Sequence, residues 1–227
     1  MSNLIHNLSL TEFKLCLLLN YTIVWYFLYN AMGLISSDKR FRLKLVTVLF
    51  YTSIPIFLAL TLVEQGISRT TEISTIQVHL LLVIVAYYLF STIEELKIKS
   101  TYNWSIIVHH VVFGIILLTI AINTNIPAYG LWAIAVQFSA IFVSIRTVLK
   151  AFPILYARFN PILETCDFVV FFVSRIVFQT LIMLILIIDI DPSGFICTGV
   201  VLSLYLNLFW FKQILMRRIS KKQMILA

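Results

Sequence analysis

The chain has 227 residues, 61% of them hydrophobic and only 12% charged, with a mean hydropathy of +1.00. That apolar share lies far above a soluble domain's and excludes a water-soluble enzyme or a nucleic-acid-binding module, although the formal net charge is +7. The apolar runs are long enough to cross a bilayer and lack two-residue alternation, which excludes a β-barrel and predicts an all-α, polytopic membrane bundle.

Seven apolar segments follow one another: about 12–35, 46–63, 78–96, 105–122, 131–149, 164–188 and 195–215. The residues before the first lack the basic start and small-residue cleavage site of a secretory signal peptide, so the first span is expected to be retained. Lys39, Arg40, Arg42 and Lys44 fall between the first and second segments, and Lys97 and Lys99 between the third and fourth. Lys150 and Arg158 fall between the fifth and sixth, and Arg217, Arg218, Lys221 and Lys222 follow the seventh. The alternate loops hold only Arg69, and the N-terminal arm only Lys14. The positive-inside rule therefore predicts seven transmembrane helices with the N-terminus outside or luminal and the C-terminus cytosolic. The positive charge is then mostly topology, with some attraction to anionic lipid. Asn7 stands in a glycosylation sequon on the predicted outer side. Cys16, Cys166 and Cys197 show no paired spacing and read as small core residues.

The third segment ends "YYLFSTIEEL" and the fourth opens with "SIIVHHVVFG". Counting from the span ends at about 1.5 Å per residue places Ser91, Thr92, His109 and His110 at one depth near the cytosolic face. A short connection makes the two helices antiparallel neighbours, so these four side chains are expected to face one small volume. Adjacent helix positions point about 100° apart. That suits a base with its orienter, or two contacts to a bound group, but suits a single metal ion poorly. His79 lies near the opposite end of its span from His109, which argues against a bis-histidine haem, and no metal or cofactor is expected. The plainer alternative is a pair of neutral histidines serving as interhelical hydrogen-bonding groups.

Arg175, in "FFVSRIVFQ", stands about halfway through the sixth segment, too deep to reach water by snorkelling. Gln179 shares its face, and Gln137, backbone carbonyls or an anionic ligand group are the expected partners. Arg146 lies near the cytosolic end of the fifth segment. Asp167, about two turns from Arg175, is expected to meet headgroup-level water or a basic loop residue. Trp25, Trp104, Trp132 and Trp210 read as interfacial anchors or packing residues.

Four stretches in order, "QVHLLLVIVAYYLFSTIEEL", "WSIIVHHVVFGII", "QFSAIFVSIRTVL" and "DFVVFFVSRIVF", resemble the TLC domain. That domain is shared by ceramide synthases, translocating-chain-associating membrane proteins and small stand-alone TLC-domain-containing proteins. The resemblance covers roughly residues 40 to 215. It implies an N-terminal arm and first helix over 1–39, a six-helix TLC-like domain over 40–215 and a basic cytosolic tail over 216–227. It also implies a role in membrane lipid homeostasis and a location in the endoplasmic reticulum or another endomembrane. Two departures stand out: Ser91 replaces the family's aspartate and Gln137 replaces its glutamate. Neither can act as a carboxylate base, so acyl transfer by His109 and His110 is under-equipped. Glu94 and Glu95, three and four residues past Ser91, are candidate substitutes, or else pair with loop lysines.

Three functions are expected candidates. The first is a lipid-handling protein that binds an acyl, sphingoid or phospholipid molecule within the bundle. Ser91, Thr92, Glu95, Gln137, Ser139, Arg146, Arg175 and Gln179 are its candidate contacts, and its assembly is compatible with a homodimer. The second is a lipid acyltransferase with His109 and His110 as catalytic groups. The third is a seven-helix receptor or transporter, disfavoured by the absence of a mid-membrane acidic relay.

Overall fold

The computed structural model describes residues 10–65, 74–98, 104–122, 137–189 and 194–226. The sequon at Asn7, Arg69, Lys99, Trp132 and the opening of the fifth apolar segment lie outside them, as do the side chains of Cys197, Arg217, Lys221 and Lys222. Among the described residues every regular element is helical. Three stretches, Leu10–Leu34, Thr75–Lys97 and Trp104–Ile122, are long and apolar enough to cross a membrane. The chain divides into two compact units, Met1–Ile134 and Ala135–Ala227.

The first unit holds α1 (Leu10–Ala31), α2 (Lys39–Gln65), α3 (Thr75–Lys97) and α4 (Trp104–Ile122). Asp38 starts α2, its side chain accepting from the Arg40 amide at 2.9 Å. Ser74 starts α3 through a reciprocal pair: its hydroxyl accepts from the Gln77 amide while the Gln77 side chain accepts from the Ser74 amide. Pro55 lacks an amide hydrogen within α2, and beside it Thr52 and Ser53 donate back to the carbonyls of Val48 and Phe50.

α3 is the central element. Leu81, Leu82, Ile84, Ala86, Tyr87, Tyr88 and Phe90 are all buried, covering nearly its whole circumference, as expected for a helix apolar on every side. In lipid, helices associate by close packing and by interhelical hydrogen bonds rather than by escape from water. Both kinds of contact are present. Phe50 stacks on Tyr87 with ring centroids 3.7 Å apart, and Trp25 meets both rings edge-on. Trp25 donates to the Val83 carbonyl at 3.3 Å, Tyr87 donates to Thr47 at 3.0 Å, and Tyr21 shares a 2.7 Å bond with His79. Trp25 is thus a packing residue. Lys14 is buried and donates to the carbonyl of Ile122, setting an ammonium at the negative end of the α4 dipole.

In the second unit a 3₁₀ turn (Gln137–Ser139) leads into α5 (Ala140–Leu149). A tight turn follows, closed by bonds from Ala151 to Val148 and from Phe152 to Leu149, and Pro153 occupies the first turn of α6 (Pro153–Phe171). So short a connection makes α5 and α6 antiparallel neighbours. α6 continues through a π-helical turn (Phe172–Val177) into α7 (Phe178–Asp189), and α8 runs over Gly194–Leu226. Phe211 on α8 stacks against Phe168 and lies against Phe171 and Phe172.

The helices outrun the apolar segments. α2 begins at Lys39, α6 at Pro153 and α8 ends at Leu226, so residues expected in loops occupy first and last turns. Hydropathy marks only where hydrocarbon surrounds a helix, whereas its backbone bonds continue wherever the chain can close them. With 33 residues, α8 is about 50 Å long, well beyond a hydrocarbon core of about 30 Å.

Candidate functional site

The histidine pair lies in the first unit. His109 and His110 are both buried, with ring centroids 5.8 Å apart. Tyr88 of α3 stacks on His110 at 4.7 Å and 12°, and it meets His109 edge-on at 6.0 Å. Tyr87 approaches His110 at 6.2 Å, and Phe113, one turn along α4, lies 4.6 Å from His109. The imidazoles therefore sit in an aromatic setting supplied by the two tyrosines of "YYLF". Where Tyr88 faces α4, the helix carries Gly114, whose missing side chain leaves ordinary van der Waals clearance.

Ser91 is buried one turn beyond Tyr87, and Thr92 is half-buried. Glu94 is buried and paired with Lys97 at 2.8 Å, and Lys97 lies 5.0 Å over the ring of Tyr26. Glu95 is half-buried. Among the described residues no group of three or more histidine, cysteine, aspartate or glutamate side chains is placed to hold a metal ion.

The second unit holds a separate polar cluster centred on Arg175, which is 4% exposed. Its Nε donates to Ser139 Oγ at 2.7 Å, Nη1 to Asn207 Oδ1 at 3.1 Å and Nη2 to Gln137 Oε1 at 3.2 Å. The rings of Phe171 and Trp210 stand 5.3 and 5.7 Å from the guanidinium carbon. The hydrogen bonds continue outward: Asn207 donates to Gln179 Oε1, and Gln179 donates to Ser203 Oγ at 2.6 Å. Because a guanidinium only donates, it turns the amide oxygens of Gln137 and Asn207 toward itself. The nitrogen of Asn207 then faces Gln179, so the charge sets the polarity of the whole chain.

Arg175 sits inside the π-helical turn. Such a turn carries one residue more than an α-helical turn and shifts the phase of the helix beyond it. Here the shift lets Arg175 reach the 137–139 turn and Asn207 while Gln179 addresses Ser203 and Asn207.

Asp167 is buried, and its partner is Arg146 at 3.1 Å rather than headgroup water or a basic loop residue. Asn160 accepts from Arg146 Nε at 3.1 Å, so Arg146 binds two side chains of α6 that stand two turns apart. Sequence reasoning overlooked Asn160, Ser203 and Asn207. The last two stand four residues apart in "SLYLNLFWF", the spacing that puts two side chains on one helix face, and that spacing could have found them.

A family model described as the TLC domain matches residues 40–216. The chain belongs to the TLC-domain family. The histidine pair, the Arg175 cluster and the Arg146–Asp167 pair all lie within the matched residues, whereas α1 precedes them. No curated protein and no solved structure matches the chain. With its apolar helices, the TLC domain makes this an integral membrane protein and points to a lipid-related role.

Proposed function

We propose that this TLC-domain protein binds or traffics an acyl or sphingoid lipid within its helices, and so influences the lipid composition of its membrane. The observation that carries the reading is the TLC-domain match over residues 40–216. In this reading seven helices span the bilayer, with the N-terminus outside or luminal and the C-terminus cytosolic. Residues 40–215 form the lipid-handling domain, 1–39 and 216–227 flank it, and the membrane is the endoplasmic reticulum or another endomembrane. The distribution of lysine and arginine supports the orientation. The candidate contacts are Ser91, Thr92 and Glu95 in the first unit and Gln137, Ser139, Arg146, Arg175 and Gln179 in the second.

Binding is preferred to chemistry because the positions where carboxylates are expected hold Ser91 and Gln137, and neither takes up a proton at neutral pH. The burial of His109 and His110 side by side, with ring centroids 5.8 Å apart, favours lipid acyl transfer as the second reading, since imidazole is the commonest general base and a second ring can orient the first. Mass spectrometry of purified wild-type and His109→Ala/His110→Ala protein, incubated with acyl donors and acceptors, separates the two. Co-purified lipid without turnover is the expected result. Turnover that the double substitution abolishes would replace binding with catalysis, and wild-type protein free of lipid and of turnover would refute both.

A further inference from the structure

Gln137 differs from the other amides of its cluster. It is 1% exposed, and its Oε1 accepts from Arg175 Nη2 at 3.2 Å. Nitrogen cannot take that place, because a guanidinium has nothing to accept with, so the amide has one allowed orientation. Its Nε2 is therefore directed away from the arginine, and among the described residues it is buried with no hydrogen-bond partner. By contrast, Asn207 and Gln179 each use both ends: Asn207 accepts from Arg175 and donates to Gln179, which in turn donates to Ser203.

A buried N–H without an acceptor is disfavoured and is rarely left so in a folded protein. Any group that completes it must bring an acceptor oxygen, a choice the neighbouring guanidinium reinforces by making the local potential positive. A lipid supplies such an oxygen in its acyl group, as a carboxylate or as an ester carbonyl.

We infer that Gln137 Nε2 donates to an acyl oxygen, the carboxylate of a fatty acid or the carbonyl of an acyl ester, on a lipid held by the second unit. This rests on the lipid-handling reading and narrows it: the ligand presents an acceptor at this point, and Arg175 acts on it through Gln137 by holding the amide in its single orientation. A hydroxyl or ammonium group without an acyl oxygen does not satisfy the site equally.

The test uses the purified full chain in nanodiscs, with radiolabelled oleate and radiolabelled methyl oleate as probes. Gln137→Glu keeps an oxygen toward Arg175 and puts a second oxygen where the N–H stood, while Gln137→Met keeps the length and removes the donor. Both substitutions are expected to weaken binding by roughly twofold to tenfold, the scale of one hydrogen bond. Gln137→Glu should also unfold at or above the wild-type temperature, because its carboxylate pairs with Arg175. Stability held or raised while binding falls is a combination that general misfolding does not produce. A loss for oleate alone identifies a fatty-acid carboxylate, and a loss for both probes identifies the acyl carbonyl. Wild-type binding that neither substitution changes overturns the inference, leaving a buried water as the partner of Nε2 and the lipid-handling reading intact. Wild-type protein that binds neither probe overturns both.

Discussion

Replacing Asn207 with leucine removes two hydrogen bonds at once, the one it accepts from Arg175 and the one it donates to Gln179. Side-chain bonds between membrane helices average about 0.6 kcal/mol and reach about 1.7 kcal/mol, because the separated helices also find partners. Two such bonds place the cost of Asn207→Leu at about 1–3 kcal/mol. For a chain of this size each kcal/mol lowers the melting temperature by about 2–4 °C, so a fall of roughly 2–12 °C is expected. Thermal unfolding in detergent micelles, followed by circular dichroism, reads it directly. Additivity is the sharper measure. Since either single variant already breaks the bond between Asn207 and Gln179, Asn207→Leu/Gln179→Leu should cost at least about 0.5 kcal/mol less than the sum of the single changes. A melting temperature unmoved by Asn207→Leu, or a double variant that is simply additive, refutes the directional chain of hydrogen bonds in this cluster.

Two further substitutions probe the packing on either side. Arg146→Leu strands Asp167 in the interior and is expected to cost about 3–5 kcal/mol, much of which Arg146→Leu/Asp167→Leu should restore; melting curves that rank the double variant below the single one would refute the pairing. Gly114→Ala adds a methyl group at 3.9 Å from the Tyr88 Cβ, an ordinary contact, and alanine favours helix by up to about 1 kcal/mol over glycine. The melting temperature should hold or rise, and a clear fall would mean that α3 and α4 pack more closely at this point than that spacing allows.

The legibility of the site varied with the kind of signal. Arg175 stood out as one charge in an apolar run, and Gln137, named as a candidate partner, accepts from it. Asn207 escaped because an asparagine in a span carries no charge to draw attention, even with Ser203 four residues before it. The π-helical turn had no local signature: "FFVSRIVF" reads as plain helix, and the wide turn depends on where the guanidinium finds its acceptors. The histidine pair was legible as a pair, but its ring partners were not. Counting residues from uncertain span ends aligned it with Ser91 and Thr92, whereas the ring contacts fall on Tyr87 and Tyr88. One helical turn is only about 5.4 Å, less than the error of that count. The extra turns of α2, α6 and α8 were hidden because basic residues end a hydropathy run without ending a helix.

The position of α1 bears on how this protein can be dissected. The stretch that relates it to other sequences begins at residue 40, yet Trp25 lies edge-on against Phe50 and Tyr87, and Lys14 closes the far end of α4. Kinship and cooperative folding thus have different borders here. A fragment cut at the edge of the recognisable region strips the aromatic centre of its cover, so an inert fragment says nothing about the lipid chemistry of the intact chain.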